Sequence, residues 1–169
     1  MKTASLLLVL AALAIAGCGS DDGDSNGSDF DTLEQASTLS DQASEQASLA
    51  IAALRQGDIE GAKSHIAEAT ELATDGQETL REIDSEPARR VFTNISMLTL
   101  QGYEILNGGI EAASRGDNRA TERYIRMSLE IRKRKLRLFN RTDFAAIGLG
   151  KSNEEIREAL REQIQSETE

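Results

Sequence analysis

The side chains that most often perform catalysis or bind metal ions are scarce in this sequence of 169 residues. It contains one histidine, His65, one cysteine, Cys18, and no tryptophan. A disulfide framework, a zinc site built from Cys and His, and a haem attached through Cys-x-x-Cys-His each require more of these residues. We therefore predict no enzyme, no catalytic residue, no metal ligand and no cofactor.

His65 is the one general base of the usual kind, and Glu68 follows it by one helical turn. Di-iron bundles use two copies of a Glu-x-x-His pair. Here the order is reversed and the pair occurs once. We interpret His65 as an ordinary, exposed or half-buried histidine rather than as a ligand.

Residues 1–18 have the pattern of a secretory signal peptide. Lys2 supplies a short basic start, an apolar run follows from Leu6 to Ile15, and small residues precede Cys18. The run is shorter than the roughly 17–25 residues of a membrane-spanning helix. Its end, Ile15-Ala16-Gly17-Cys18, resembles the lipobox of bacterial lipoproteins.

This resemblance implies that Cys18 is lipidated and becomes the new N-terminus, which anchors the protein to a membrane outside the cytoplasm. More than one acyl chain would make that attachment stable. Gly19 is not the Asp that the lipoprotein pattern associates with inner-membrane retention, so we expect the outer membrane in a cell with two membranes. In other cells we expect the outer face of the cell membrane. Residues 19–29 contain no apolar side chain and are predicted to form a disordered acidic tether.

Residues 30–140 carry apolar or small side chains at the three-four spacing of helices, with no strand-like alternation. Gly57-Asp58 and Gly116-Asp117 predict tight turns, because Gly accepts the backbone conformation after a helix and Asp caps the next helix. Ser85-Glu86-Pro87 predicts a further helix start. We predict an all-α fold, an antiparallel up-down four-helix bundle of two long helical hairpins.

The two Gly-Asp turns lie 59 residues apart, and six of 22 aligned positions around them are identical. Duplication of one hairpin and convergence on the same turn chemistry both account for this. Each turn, followed by Ala or Gly and then His65 or Tyr124, is also weakly similar to tetratricopeptide-like hairpins. The spacing is longer than the ~34 residues of that repeat, and its Trp and Pro landmarks are absent, so no family is assigned.

Residues 141–169 are predicted to be a linker and a short C-terminal helix. Ser152 and Glu155 form a capping box, and Ile156, Leu160 and Ile164 line one face. That face could pack across the bundle, bind a partner or fray.

Charge is divided unevenly along the chain. Residues 19–88 have 17 acidic and 3 basic side chains, whereas residues 89–151 have 6 acidic and 13 basic ones. The simpler interpretation is that the acidic hairpin docks on the basic one. The alternative is a recognition surface for anionic headgroups or an anionic wall polymer, formed by Arg119, Arg123, Arg126 and Arg134.

Gly102 and Gly109 lie one heptad apart inside the third helix, where glycine costs about 1 kcal/mol relative to Ala. We expect them to allow close packing against the Ala-rich first helix. The alternatives are a kink at Asn107-Gly108-Gly109 or room for a ligand. The function that these features favour is a membrane-tethered binding or scaffold module of the cell envelope. Its partner would be an envelope protein or an anionic polymer, not nucleic acid. The alternative is a small-ligand or metal carrier that uses the bundle interior near Gly102, Gly109 and Tyr103.

Overall fold

A computed structural model describes residues 25–143 and 145–147 of the chain. Within these ranges the fold is all-helical and contains no strand, as predicted from the sequence. The four long helices are α1 (Ser25–Gln56), α2 (Ile59–Thr79), α3 (Glu86–Ser114) and α4 (Asn118–Arg141). Two short 3-10 turns, Leu80–Glu82 and Ala145–Ile147, follow α2 and α4.

The connections α1–α2 and α3–α4 use the same local chemistry, as the sequence predicts. Gly57 and Gly116 have φ values of +78° and +73°, which side chains other than Gly rarely adopt. The carboxylate of Asp58 accepts from the Gly61 amide at 2.9 Å, and that of Asp117 accepts from the Ala120 amide at 3.0 Å. Each Asp therefore caps the helix that follows it.

The connection between α2 and α3 is more irregular than the sequence predicts. The helical spacing of apolar residues extends to Ile83, but α2 ends at Thr79 and the chain tightens into the 3-10 turn Leu80–Glu82. This tightening supplies i→i+3 bonds at the helix end, with the Ile83 amide donating to the Leu80 carbonyl. Ser85 then caps α3 as predicted, because its hydroxyl accepts from the Ala88 amide.

Packing follows the order of the helices along the chain. α1 lies along α2, α2 along α3 and α3 along α4, whereas the backbones of α1 and α4 hardly approach each other. Small side chains permit close contact between α1 and α2: a Cβ on Gly76 of α2 would lie 3.2 Å from the Ala36 carbonyl oxygen of α1. In one core cluster, formed by α1, α2 and α3, the larger side chains come from α2 and α3, chiefly Ile66, Leu106 and Ile110.

A second core cluster joins the start of α1 to the two ends of the α2–α3 connection and to the end of α4. Its members are buried apolar residues of α1, α3 and α4, of both 3-10 turns and of the α2–α3 connection: Leu33, Ala36, Leu80, Ile83, Ala88, Phe92, Phe139 and Ile147. The chain is held there after α4 as well, since the Ser85 hydroxyl donates to the Ile147 carbonyl oxygen at 2.6 Å.

The structure places a helix over the last five residues of the stretch predicted as an acidic tether. Helix α1 begins at Ser25, so residues 25–29 belong to the folded domain. The reason is Asp29, a buried carboxylate that accepts from the backbone amides of Asp84 at 2.7 Å and Ser85 at 2.9 Å. The predicted signal peptide, residues 19–24 of the tether and the C-terminal helix lie outside the described residues.

Candidate functional site

Helix α4 is seated against α3 by Tyr124. A Cβ on Gly108 would lie 3.0 Å from Tyr124 Cε1, and a Cβ on Gly109 would lie 3.2 Å from Tyr124 Cβ. Both distances are shorter than ordinary van der Waals contact, so the two glycines form a notch that accepts this tyrosine. The sequence-based expectation of close packing against the first helix is therefore wrong for Gly109, because its near neighbour lies on α4.

Seating α4 in this way turns its basic side outward. Arg119, Arg123, Arg126 and Arg134 are all exposed. Their three-four spacing places them within one side of the helix. Lys133 and Arg137 are exposed on the same side. We call these six residues the basic surface. Phe139 is the one buried side chain of α4.

The ion pairs of the basic surface remain within α4. The carboxylate of Glu122 lies 3.6 Å from the Arg126 guanidinium, and that of Glu130 lies 2.8 Å from Lys133 Nζ. The hydrogen bond and the positive charge of Lys133 lower the pKa of the Glu130 carboxyl. Arg123 lies over the Tyr124 ring, 5.7 Å from its centroid.

Four members of the basic surface form no ion pair within the described residues. In residues 25–143 and 145–147, no carboxylate lies within 4.0 Å of Arg119, Arg123, Arg134 or Arg137. Since Arg126 pairs within its own helix, none of the four arginines forms an ion pair with the acidic hairpin α1–α2 in this part of the chain. Their positive charge is available to an external anion. Because these side chains are exposed, their attraction for such an anion is strongest at low ionic strength.

A groove of about 620 Å³ lies between α1 and α4, and none of the six residues of the basic surface lines it. Residues of α3, including Leu98, Gly102 and Tyr103, form its floor. Acidic Asp41 and Glu45 lie on the α1 side, and Arg132 and Lys135 lie on the α4 side. We call this feature the α1–α4 groove. A separate cavity of about 90 Å³ lies deeper among the four helices and is lined by Ser37, Phe92, Phe139 and their neighbours.

The groove corresponds in part to the interior site considered from the sequence. Gly102 and Tyr103 line the groove, whereas Gly109 packs against Tyr124 instead. A Cβ on Gly102 would lie 3.6 Å from Ile131 Cγ2, which is an ordinary contact, so the groove does not require glycine there. The spacing of residues in the sequence did not indicate the α1–α4 groove. The groove depends on the distance between two helices that are far apart in the sequence.

His65 takes part in a surface network between α1 and α2. Its Nδ1 lies 2.8 Å from Gln46 Oε1, and Gln46 Nε2 donates to Glu68 Oε1 at 2.9 Å. The half-buried ring is thus linked to an amide rather than to a carboxylate pair. In the described part of the chain, no three His, Cys, Asp or Glu side chains come together in a group that could hold a metal ion.

No described helix has the length and apolar character needed to cross a bilayer. Cys18 lies outside the described residues. No protein-family model, no curated protein and no solved structure matches the chain. The described residues offer two features for binding: a row of exposed guanidinium groups on α4, and a separate groove with an apolar floor and charged rims.

Proposed function

We propose that this chain is a lipoprotein of the bacterial cell envelope, anchored through lipidated Cys18, whose helical domain is a non-catalytic binding or scaffold module. The lipobox-like Ile15-Ala16-Gly17-Cys18 supports the anchor, and the tether residues between Cys18 and Ser25 keep the domain near the bilayer. Loss of the thiol tests this step. Cys18→Ser is expected to move the protein into the soluble extracytoplasmic fraction or leave the signal uncleaved. Membrane retention with a normally processed N-terminus would contradict it.

The proposed architecture is an antiparallel up-down four-helix bundle with a short C-terminal helix. Pairs of contacts along α1 and α2 favour it, since Ala36 lies beside Gly76 whereas Gln46 lies beside His65. The cluster that joins Leu33 to Phe139 is the contact expected if the start of α1 and the end of α4 lie at one end.

The function that these features support best is binding of an anionic envelope surface by the basic surface of α4. One observation carries it: Arg119, Arg123, Arg126 and Arg134 are exposed on one side of a helix, without ion pairs to the acidic hairpin within the described residues. Headgroups and wall polymers outside the cytoplasm are anionic, and clustered guanidinium groups attract such surfaces.

Vesicle binding and thermal melting of the same purified proteins test this function. Changing these four arginines to Gln is expected to weaken binding to vesicles that contain an anionic phospholipid. The difference from the unmodified protein should shrink as salt rises, since the Debye length is about 8 Å near physiological ionic strength. The free energy of unfolding is expected to change by less than about 0.5 kcal/mol for each exposed side chain.

A matched control replaces four basic residues outside α4, Arg55, Lys63, Arg81 and Arg90, with Gln, which changes the net charge by the same amount. This control is expected to bind nearly as well as the unmodified protein. An equal loss in both variants would mean that net charge alone drives binding. If the α4 variant melts earlier while vesicle binding is negligible in both proteins, the basic side of α4 instead docks the acidic hairpin.

The second candidate function, a carrier of a small ligand, is favoured by the α1–α4 groove, whose floor includes Leu98, Gly102 and Tyr103. Its volume of about 620 Å³ lies in the usual range of ligand sites. A fluorescent apolar probe such as an anilinonaphthalene sulfonate would report such a site. Saturable binding that Leu98→Glu abolishes would support the carrier, and the absence of saturable binding would contradict it.

A further inference from the structure

Among residues 25–143 and 145–147, no element covers the side chains that α1 and α4 present to the α1–α4 groove. Leu98 and Leu106 are buried in its floor, Ile131 is half-buried beside them, and Leu129 at its edge is 45% exposed. Elsewhere the same helices bury their apolar sides, α1 against α2 and α4 against α3. A covering element with a narrow apolar stripe and charged flanks would complete the packing.

The chain itself leads toward this groove. Ile147, the last described residue, is buried in the cluster that contains Leu33 and Phe139, and its carbonyl is held by Ser85. That cluster lies at the same end as Thr38 and Lys135, where the groove begins. Residues 148–151, if extended, reach about 13 Å from Ile147, which gives enough length to turn back along the groove.

The length of the remaining chain also fits. The α1 side of the groove runs from Thr38 to Ile51, which corresponds to about 20 Å of helix. Residues 152–169 would form about 27 Å of helix, and the capping box at Ser152 and Glu155 marks where that helix would begin. A single helix of this length would cover the whole groove.

The composition of residues 152–169 complements α4. Ile156, Leu160 and Ile164 are spaced four residues apart and form one narrow apolar stripe. The segment has six acidic and two basic side chains, whereas α4 has nine basic and two acidic ones. Opposite net charges favour this pairing, although each exposed ion pair contributes less than about 1 kcal/mol.

We propose that residues 152–169 form a fifth helix that docks into the α1–α4 groove of the same molecule, with Ile156, Leu160 and Ile164 facing the floor. The docked helix would close the open side of the bundle. It would also compete with any small ligand for Leu98 and Tyr103. This inference does not depend on what the basic surface binds, because none of the six residues of that surface lines the groove.

Photo-crosslinking of the full-length chain identifies the occupant directly. A benzophenone amino acid replaces Leu129, at the groove edge, and a control protein carries it at Met97, which is 56% exposed and lines a different pocket between α2 and α3. Mass spectrometry is expected to find intramolecular cross-links from position 129 to residues 152–169, and none to that segment from position 97. Cross-links to a second copy, to lipid, or to neither would overturn the proposal.

A matched pair of substitutions tests the apolar stripe. In the Leu129-labelled chain, Leu160→Asp puts a charge on the stripe, whereas Gln165→Asp puts the same charge on the opposite side of the predicted helix. The cross-link to residues 152–169 is expected to fall about tenfold for Leu160→Asp, because an apolar side chain is lost from the groove. It should remain within about twofold for Gln165→Asp, since a solvated position tolerates charge. Equal cross-link yields in the two variants would refute docking through this stripe. Circular dichroism verifies that α1–α4 remain folded in both variants.

Discussion

Removal of the Asp29 carboxylate is expected to loosen the end of the domain where α1 meets the α2–α3 connection. Its two oxygens accept from the amides of Asp84 and Ser85, which are 55 and 56 residues away in sequence. Because a carboxylate is ionised, hydrogen bonds to it contribute about 1.5–3 kcal/mol each, more than those between neutral groups. Loss of both bonds would leave two backbone donors without their partner.

The lower end of that range applies here. Ser85 is half-buried and Asp84 is exposed, so water can reach their amides once the carboxylate is removed. We expect Asp29→Ala to lower the free energy of unfolding by about 3 kcal/mol. For a domain of this size, 1 kcal/mol corresponds to about 4 °C in Tm, so the expected shift is roughly 12 °C. Asp29→Asn keeps one acceptor and should lose about half as much.

Urea unfolding followed by circular dichroism measures these differences, and Asp31→Ala is the matched control. Asp31 lies two residues further along α1 and is exposed. Its loss is expected to change stability by less than about 0.5 kcal/mol. If Asp29→Ala and Asp31→Ala were equally stable, the two hydrogen bonds would contribute nothing measurable and the assignment of residues 25–29 to the folded domain would lose its physical reason.

Two further predictions concern α3 and α4. Gly109→Ala is expected to destabilise the domain by about 1 kcal/mol, because the new Cβ would crowd Tyr124 at 3.2 Å, whereas Gly102→Ala should stabilise it by up to about 1 kcal/mol through helix propensity. A rise in the urea midpoint for both variants would contradict the notch. Lys133→Ala is expected to raise the pKa of Glu130 toward its ordinary value, as measured by NMR titration of the side-chain carboxyl. Since the pKa of Glu130 is lowered in the folded protein, its attraction to Lys133 is present above the unfolded pKa and is lost as pH falls through the lowered value. An unchanged titration in Lys133→Ala would show that this pair does not form in solution.

Sequence alone determined where the helices of residues 59–141 begin and where α1 and α3 end. Gly57-Asp58, Ser85 with Pro87, and Gly116-Asp117 act on their own neighbours, so their effects depend on local backbone conformation and on hydrogen bonds that span three or four residues. The period of the apolar residues likewise fixed the all-helical class, because it reflects which side of each helix is buried. The exposure of Arg119 and its neighbours follows from the same period.

Only the tertiary structure decided which elements meet. Asp29 looks like part of a polar tether in sequence and becomes a buried acceptor because the α2–α3 connection brings two amides to it. Gly109 receives Tyr124 of α4 rather than the alanines of α1, and the α1–α4 groove opens where two helices far apart in sequence are held away from each other. Such contacts depend on the relative rotation and separation of whole helices. Residue spacing within one helix carries no information on either quantity.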